Sequence, residues 1–327
     1  MSNETFMITG SMGCIGAWVL RNLVAEGVSV VATDLATDPV RPRLLLSEEE
    51  LAQVKFTSLD VTNLNDVQAM VKNEGITHII HLAGLQVPFC KANPSVGAQV
   101  NVVGTVNIFE AARKFQDQVK GLAYASSLAV LGPSDIYPEK PVKDSAPLHP
   151  ETLYGVYKQA NEHTARIYWQ DWGIGSVGLR PYIVYGVARD QGMTSDIAKA
   201  ILAAAAEQPY HINFGGSVAL QYADDVAKMF IECARASYQG AAACNLRNDV
   251  VAIADFVEKM QGIAPNIELT YNADTILPFP ADLDDSGLQA ILGQVPHTSI
   301  EAAIEETLSL FKSLVAKGQV DLGQLAA

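Results

Sequence analysis

The stretch Phe6-Met7-Ile8-Thr9-Gly10-Ser11-Met12-Gly13-Cys14-Ile15-Gly16, read on to Asp34, decides the fold. Residues 6–8 form a short apolar strand, the glycines a turn, and residues 17–26 a helix with Val19, Leu20, Leu23 and Val24 at helical spacing. A second strand, 28–33, ends at Asp34. The result is a β-α-β unit whose glycines permit a tight turn, close approach of a pyrophosphate and close helix-strand packing. Asp34 stands at the tip of the second strand, where a carboxylate accepts both hydroxyls of an adenosine ribose and repels a 2′-phosphate. That pattern points to NAD rather than NADP; Arg41 and Arg43 offer the lesser, NADP reading.

Composition narrows the class. Of 327 residues, 49% are hydrophobic and 18% charged, enough for a buried core with a smaller appended lobe. With 22 basic and 36 acidic residues the formal charge is −14, which would repel DNA or RNA; no nucleic acid is expected as partner. A dinucleotide is still compatible, because backbone amides and a helix dipole bind phosphate without a basic surface. Cys14, Cys90, Cys233 and Cys244 are too scattered for a disulfide framework or a zinc site. Residues 1–4 lack a basic region, so no signal peptide is expected, and the greasy run at 200–206 is far short of a bilayer span. The expectation is a cytoplasmic protein with no membrane segment.

Further along, a strand at 54–59 ends in Asp60-Val61, a helix is expected over 63–74, and a strand at 76–82 runs into Ala83-Gly84. Strands and helices alternating at this interval predict an α/β fold, a doubly wound parallel sheet with ligand across the carboxyl ends of its strands. Asp60 is placed to meet an adenine or to cap the next helix, and Ala83-Gly84 lets backbone pass close to the cofactor. His78 and His81 find no further ligands for a metal and read as packing or capping groups. A helical pattern over 94–115 carries Asn101 and Asn107; a strand at 121–126 delivers Ser126-Ser127, able to bind a substrate oxygen or to cap a helix. The run 132–152 holds five prolines and reads as a loop over the site, too polar and broken for core.

In Tyr154-Gly155-Val156-Tyr157-Lys158, Tyr154 and Lys158 lie one helical turn apart on one face. A lysine there favours phenolate, the usual way to bring a phenol toward neutral pH, although the spacing also describes an ordinary amphipathic helix.

Taken in order, these pieces resemble the extended short-chain dehydrogenase/reductases of the NAD-dependent epimerase/dehydratase type. The resemblance rests on residues 9–16, Asp34, Asp60-Val61, Leu82-Ala83-Gly84, Asn101-Val102-Val103-Gly104-Thr105, residues 126–132, residues 154–158, Leu179-Arg180-Pro181 with Tyr185-Gly186, and Tyr222-Ala223-Asp224-Asp225-Val226-Ala227. It implies a Rossmann fold with a smaller C-terminal substrate lobe, NAD as cofactor and a homodimer. It further implies that Ser127 polarises the reacting oxygen, Tyr154 is the general acid/base, and Lys158 binds the nicotinamide ribose while lowering the tyrosine's pKa. Along the cofactor it places Gly10, Met12, Gly13, Cys14, Ile15, Gly16, Asp34, Asp60, Val61, Leu82, Ala83, Gly84, Asn101, Tyr154, Lys158, Pro181 and Ile183, with Asn101 leaning to a structural role and no metal.

Two departures bear on the substrate. Members acting on nucleotide-diphosphate sugars usually carry an asparagine where this chain has Ile183, and often an Arg-Asp pair where it has Val218-Ala219. A buried diphosphate without those partners would be costly. Arg180, Arg189 and Lys199 are left as possible anion contacts; Arg189 could instead pair with Asp190 or Asp196, and Thr194 or Ser195 cap a helix running to about 207. The apolar stretch 277–282 suggests a small, partly hydrophobic or weakly polar substrate. The expected layout is a dinucleotide-binding domain at 1–180, to which 217–250 returns, and a substrate lobe at 181–216 and 251–327, ending in a packing helix at 299–317 and a loose tail. The function expected is hydride transfer between NAD and a secondary alcohol or ketone of a sugar, sugar acid or polyol, or transient oxidation in an epimerase; a non-catalytic dinucleotide sensor would have no need of Tyr154.

Overall fold

The protein is described from a computed structural model over residues 4–326; residues 1–3, part of the stretch read for a signal peptide, and Ala327 lie outside the described residues. β1 (Thr5–Thr9) leads through α1 (Cys14–Ala25) to β2 (Ser29–Asp34). The connection that follows contains α2 (Glu48–Leu51), closed by a reciprocal Ser47/Glu50 capping box, before β3 (Lys55–Ser58). Next come α3 (Leu64–Asn73), β4 (His78–His81), α4 (Val87–Ala92), α5 (Pro94–Ala98), a π turn at Gln99–Val103, α6 (Gly104–Lys114), β5 (Gly121–Ala125), α7 (Leu153–Trp172) and β6 (Ser176–Arg180). The chain continues with β7 (Ile183–Tyr185), α8 (Asp196–Ala205), β8 (Tyr210–Ile212), β9 (Ser217–Tyr222), α9 (Ala223–Arg235) and β10 (Ala241–Asn245). It closes with β11 (Asp249–Ala252), α10 (Ile253–Ile263), β12 (Leu269–Tyr271), α11 (Ser286–Leu292) and α12 (Ile300–Ala316).

Seven parallel strands form the main sheet in the order β10-β6-β5-β4-β1-β2-β3. The direction of winding reverses between β1 and β4, the place where a doubly wound sheet opens a crevice at its strand ends. The two-residue period of the strands builds two cores. Phe6, Ile8, Val30, Ala32 and Ile80 pack with Trp18 and Leu20 of α1 and with Phe230 of α9, whereas Met7, Val31, Ile79 and Tyr124 pack with Val67, Phe109 and Tyr168 of α3, α6 and α7. His78 stacks on Phe6 with ring centroids 4.7 Å apart, and His81 is wedged between the hydroxyls of Thr9 and Thr105 at 2.6 and 3.1 Å. Burial pushes the His81 pKa down to about 3, so it is a neutral packing group.

Beyond β6 the chain leaves this sheet. β7 and β9 pair in parallel and β11 joins them antiparallel, while β8 pairs with β12. α8 is buried along nearly its whole length, in keeping with its mostly alanine, isoleucine and leucine composition. Two loop expectations are corrected. Tyr137 and Val142 from the proline-broken run are buried with Leu128, Val130, Leu131 and Leu283 in a small core of their own, and Tyr137 Oη accepts from Gly132 N and donates to Pro147 O. The tail ends in a 3-10 turn (Leu322–Ala326) whose Leu322 and Leu325 pack on the main core, so the apolar residues there are anchors.

Gly10, the residue after β1, holds φ at +68°, and a Cβ there would lie 2.7 Å from Ala83 N and 2.8 Å from Leu82 C. The turn after β1 and the turn after β4 can touch only because this residue has no side chain. Gly10→Ala is expected to cost roughly 2 kcal/mol or more from strain and clash, seen as a lower urea midpoint; an unchanged midpoint would show the contact to be loose.

Candidate active site

A cleft of about 610 Å³ opens at the carboxyl ends of β1, β2, β4, β5 and β6. At one end lie Gly10, Met12, Gly13, Cys14, Ile15, Gly16, Asp34, Leu59, Asp60 and Val61; at the other Ser127, Tyr154, Lys158, Pro181 and Tyr182, with Leu82, Ala83 and Gly84 between. The helix α1 begins in the cleft, and its N-cap, Gly13, offers no side chain to the first-turn amides. A Cβ at Gly16 would stand 2.6 Å from Gly10 O, so this glycine is needed for the turn itself. Asp34 is fastened by Met12 N and Leu35 N, at 3.1 and 2.8 Å. Asp60 accepts from Thr62 N and Oγ1, and the α3 cap is Asn63, so the capping alternative for Asp60 is set aside.

Ser127, Tyr154 and Lys158 converge for a structural reason. Ser127 follows β5, and Tyr154 and Lys158 share the first turns of α7, whose N-cap Thr152 accepts from Gly155 N at 3.0 Å. Gly155 admits the close approach of Ala129 O, which a Cβ would meet at 2.2 Å. Lys158 Nζ donates to Ala125 O at 2.7 Å and lies 5.6 Å from the centre of the Tyr154 ring. Burial pulls the Lys158 pKa down to about 8. Burial likewise pushes Tyr154 above its ordinary value, opposed by the Ser127 hydroxyl and then by the Arg189 charge. Lowering of this phenol, which the resemblance implies, is therefore not achieved by the protein alone: burial wins.

The same corner is braced from behind. Arg180, last residue of β6, makes two 2.8 Å bonds to the Glu162 carboxylate on α7, and Ser126 Oγ donates to Glu162 Oε1 at 2.5 Å. Arg180 Nη1 also donates to Asp144 O and Asn245 Oδ1, while Asn245 N donates to Asp144 Oδ1 at 2.6 Å. Arg180 is thus committed to Glu162 and unavailable to a ligand anion, and Lys199 is buried away from the cleft lining.

The profile of the NAD dependent epimerase/dehydratase family matches residues 6–246. The chain belongs to that family. It is 30% identical over 237 residues to UDP-glucuronate 4-epimerase 4 of Arabidopsis thaliana, covering 68% of this chain and 52% of that one. Among solved structures it resembles a UDP-N-acetylglucosamine 4-epimerase from Methanobrevibacter ruminantium (TM-score 0.82, 23% identity, 96% and 99% of the two chains). A partial consensus L-threonine 3-dehydrogenase gives TM-score 0.81 at 21% identity over 94% and 99%. The chain spans a little over half the length of the first curated relatives it matches.

Membership in this epimerase/dehydratase family makes NAD the cofactor, and the cleft fits it: uncapped first-turn amides for the pyrophosphate, a carboxylate at the β2 tip for the ribose, and small residues at 83 and 84. A Cβ on Gly84 would meet Asn101 Oδ1 at 2.7 Å. Arg41 is held by Asp190 and Met12 O, and Arg43 by Asp38, which removes both from the 2′-phosphate reading. Two expected cofactor residues do not line the cleft. Asn101 sits in the π turn, its Nδ2 donating to Leu85 O and Gly97 O and its carbonyl accepting from Asn161, so it braces helices. Ile183 is fully buried in β7; Tyr182 and Val184 face the cleft instead. Period-two alternation beyond Pro181 was the signal that finds them. Gln86, Thr152 and Met193, which carry no sequence pattern, also line the cleft and were missed. Among the described residues no cluster could hold a metal, and no helix is long and apolar enough to cross a membrane.

Two measurements check this geometry. Arg180→Met leaves the Glu162 carboxylate buried without its partner and should cost about 3–5 kcal/mol, while adding Glu162→Met should restore part of it; a double variant as unstable as the summed singles would refute the coupling. Lys158 is charged and buried below about pH 8, a cost relieved as pH rises toward the unfolded value of 10.5. Wild type should therefore gain on Lys158→Met by about 1 kcal/mol per pH unit between those limits, measured by denaturation at each pH; a constant difference would contradict the depressed value.

Proposed function

We propose that the protein is an NAD-dependent dehydrogenase or reductase acting on a secondary alcohol or ketone of a small sugar, sugar acid or polyol. The observation that carries the reading is the meeting of Ser127, Tyr154 and Lys158 at the nicotinamide end of a dinucleotide cleft. NAD, when bound, accepts the hydride that leaves the alcohol carbon. The Ser127 hydroxyl binds the substrate oxygen and Tyr154 takes its proton, the reverse holding for reduction. Lys158, aimed by Ala125 O, holds the ribose and adds a positive charge that favours phenolate. Cofactor contacts are assigned to the glycine turn, Asp34, Asp60, Val61, residues 82–84 and Pro181, with dinucleotide binding in 1–180 and 217–250 and substrate binding in 181–216 and 251–327. Leu277, Pro278 and Phe279, with Tyr182 set edge-on to Phe279 at 5.8 Å, wall off the substrate end and favour a small ligand.

A second reading is favoured by the UDP-glucuronate 4-epimerase relative: transient oxidation and re-reduction of one carbon, with no net change in NAD. Ile183 and Val218, both fully buried, offer a nucleotide diphosphate no polar group and count against it. Assembly as a homodimer is also proposed; Val96, Val103, Val156 and Ile167 are exposed apolar residues on the α5–α7 surface that a second copy would cover.

Incubation with NAD and a panel of hydroxy compounds, following NADH absorbance with NMR of the products, should show net NADH; epimers without NADH would sink the dehydrogenase reading. Tyr154→Phe should lower turnover about a thousandfold with NADH affinity nearly kept, and full activity in that variant would remove the tyrosine from its role. Because burial raises the phenol's pKa, oxidation should speed up with rising pH and reduction slow down; equal kinetics with NADP would contradict Asp34.

A further inference from the structure

We infer that Arg189 is the receptor for a carboxylate on the substrate, which narrows the proposed substrate class to hydroxy or keto acids. The inference rests on the dehydrogenase reading only for which reaction follows binding. Arg189 lines the cleft, its Nε is buried without a partner, and its one side-chain bond is a long 3.3 Å contact from Nη2 to Thr194 Oγ1. The acids it might have neutralised are spoken for: Asp190 by Arg41, and Asp196 by Tyr210 and Asn213. Among the described residues Arg189 makes no ion pair, in a chain with fourteen surplus negative charges. A buried guanidinium edge without an acceptor is costly, and its planar fork matches a carboxylate two bonds at a time.

The backbone that leads into Arg189 is also held in place. Trp18 Nε1 donates to Val187 O at 2.9 Å, and Ala188 is forced to φ +72°, a left-handed conformation that a residue with a side chain adopts at a cost. Gly192, at φ +103°, lies so close that a Cβ would be 3.1 Å from Arg189 Nη2 and 3.0 Å from Gln86 Oε1. Strain beside an unpaired cation is what a ligand site would need and what a packing arginine would not. Arg189 lines the cleft that also holds Tyr154, and its charge acts on both the Tyr154 phenol and the Cys14 thiol of the glycine turn, pulling both pKa values downward against burial. A neutral polyol would leave this cation uncompensated, whereas an acid would neutralise it.

The test uses the full chain with NAD and matched probes: D-gluconate, D-glucuronate, 3-hydroxybutyrate and L-threonine, each beside its methyl ester. NADH formation gives kcat/KM, and calorimetry gives binding of each probe to the protein saturated with NADH. The expected result is a preference of about 100-fold or more for at least one acid over its ester. That ratio should collapse toward one in Arg189→Met and be partly kept in Arg189→Lys, with NADH affinity within about threefold of wild type in both. Equal handling of acid and ester by wild type would overturn the inference. So would a loss of NADH affinity in Arg189→Met as large as the loss for acids, which would give the guanidinium to the cofactor pyrophosphate, or Arg189-dependent binding of UDP but of no acid. If no probe is turned over yet acids bind the NADH complex through Arg189, the receptor stands and the dehydrogenase reading falls; if neither occurs, both fall.

Discussion

The carboxylate of Glu162 is the point on which the active corner turns. It receives two bonds from Arg180 at the end of β6 and one from Ser126 at the end of β5, while riding on the same helix as Tyr154 and Lys158. Arg180 precedes Pro181 and Ser126 precedes Ser127, so one buried carboxylate sets the distance between the helix that carries Tyr154 and Lys158 and the strand ends that frame the cleft. Such a group is not a source of net stability, because taking both charges out of water offsets most of their attraction. Its value is in register: the shared acceptor admits only one arrangement of three elements. Asp144 and Asn245 extend the brace to the proline-rich segment and to β10, and burial lifts the Asp144 pKa to about 6, a sign of how little water reaches this network.

In front of that brace the electrostatics run opposite to those of the whole chain. The protein is strongly acidic, yet the reacting end of the cleft presents Lys158 and Arg189 without carboxylate partners. Asp34 and Asp60 line the cleft beside the glycine turn. Separation of sign along one cleft orients a molecule whose two ends differ, and Leu277, Pro278 and Phe279 give that cleft an apolar wall.

Particular residues show how far the chain could be read unfolded. The glycines at 10, 13 and 16 and the acid at 34 declare their purpose because their role is local: a turn, a helix start and a strand tip are built within thirty residues. Alternating Phe6, Met7 and Ile8 likewise foretell a strand buried on both faces. Ile183 misled because alternation along this stretch turns Tyr182 and Val184 toward the cleft and Ile183 into the core. The apolar residues Tyr137 and Val142 were concealed by prolines, since their partner Leu283 lies some 140 positions away. Arg180 reads in the sequence as a possible anion contact, and nothing near it in the chain names Glu162.

What the sequence by itself determined, then, is the α/β architecture, the glycine turn and the placing of Tyr154 and Lys158 on one helical face, since each depends on spacing within one turn or one β-α-β unit. Tertiary structure decided which cations remain free. Arg41, Arg43, Arg180 and Arg189 are equivalent in a sequence, but the first three find carboxylates 149, 5 and 18 residues away, and only Arg189 is left facing the cleft without one. Pairing is a property of distance in space, and the chain does not state that distance until it has folded.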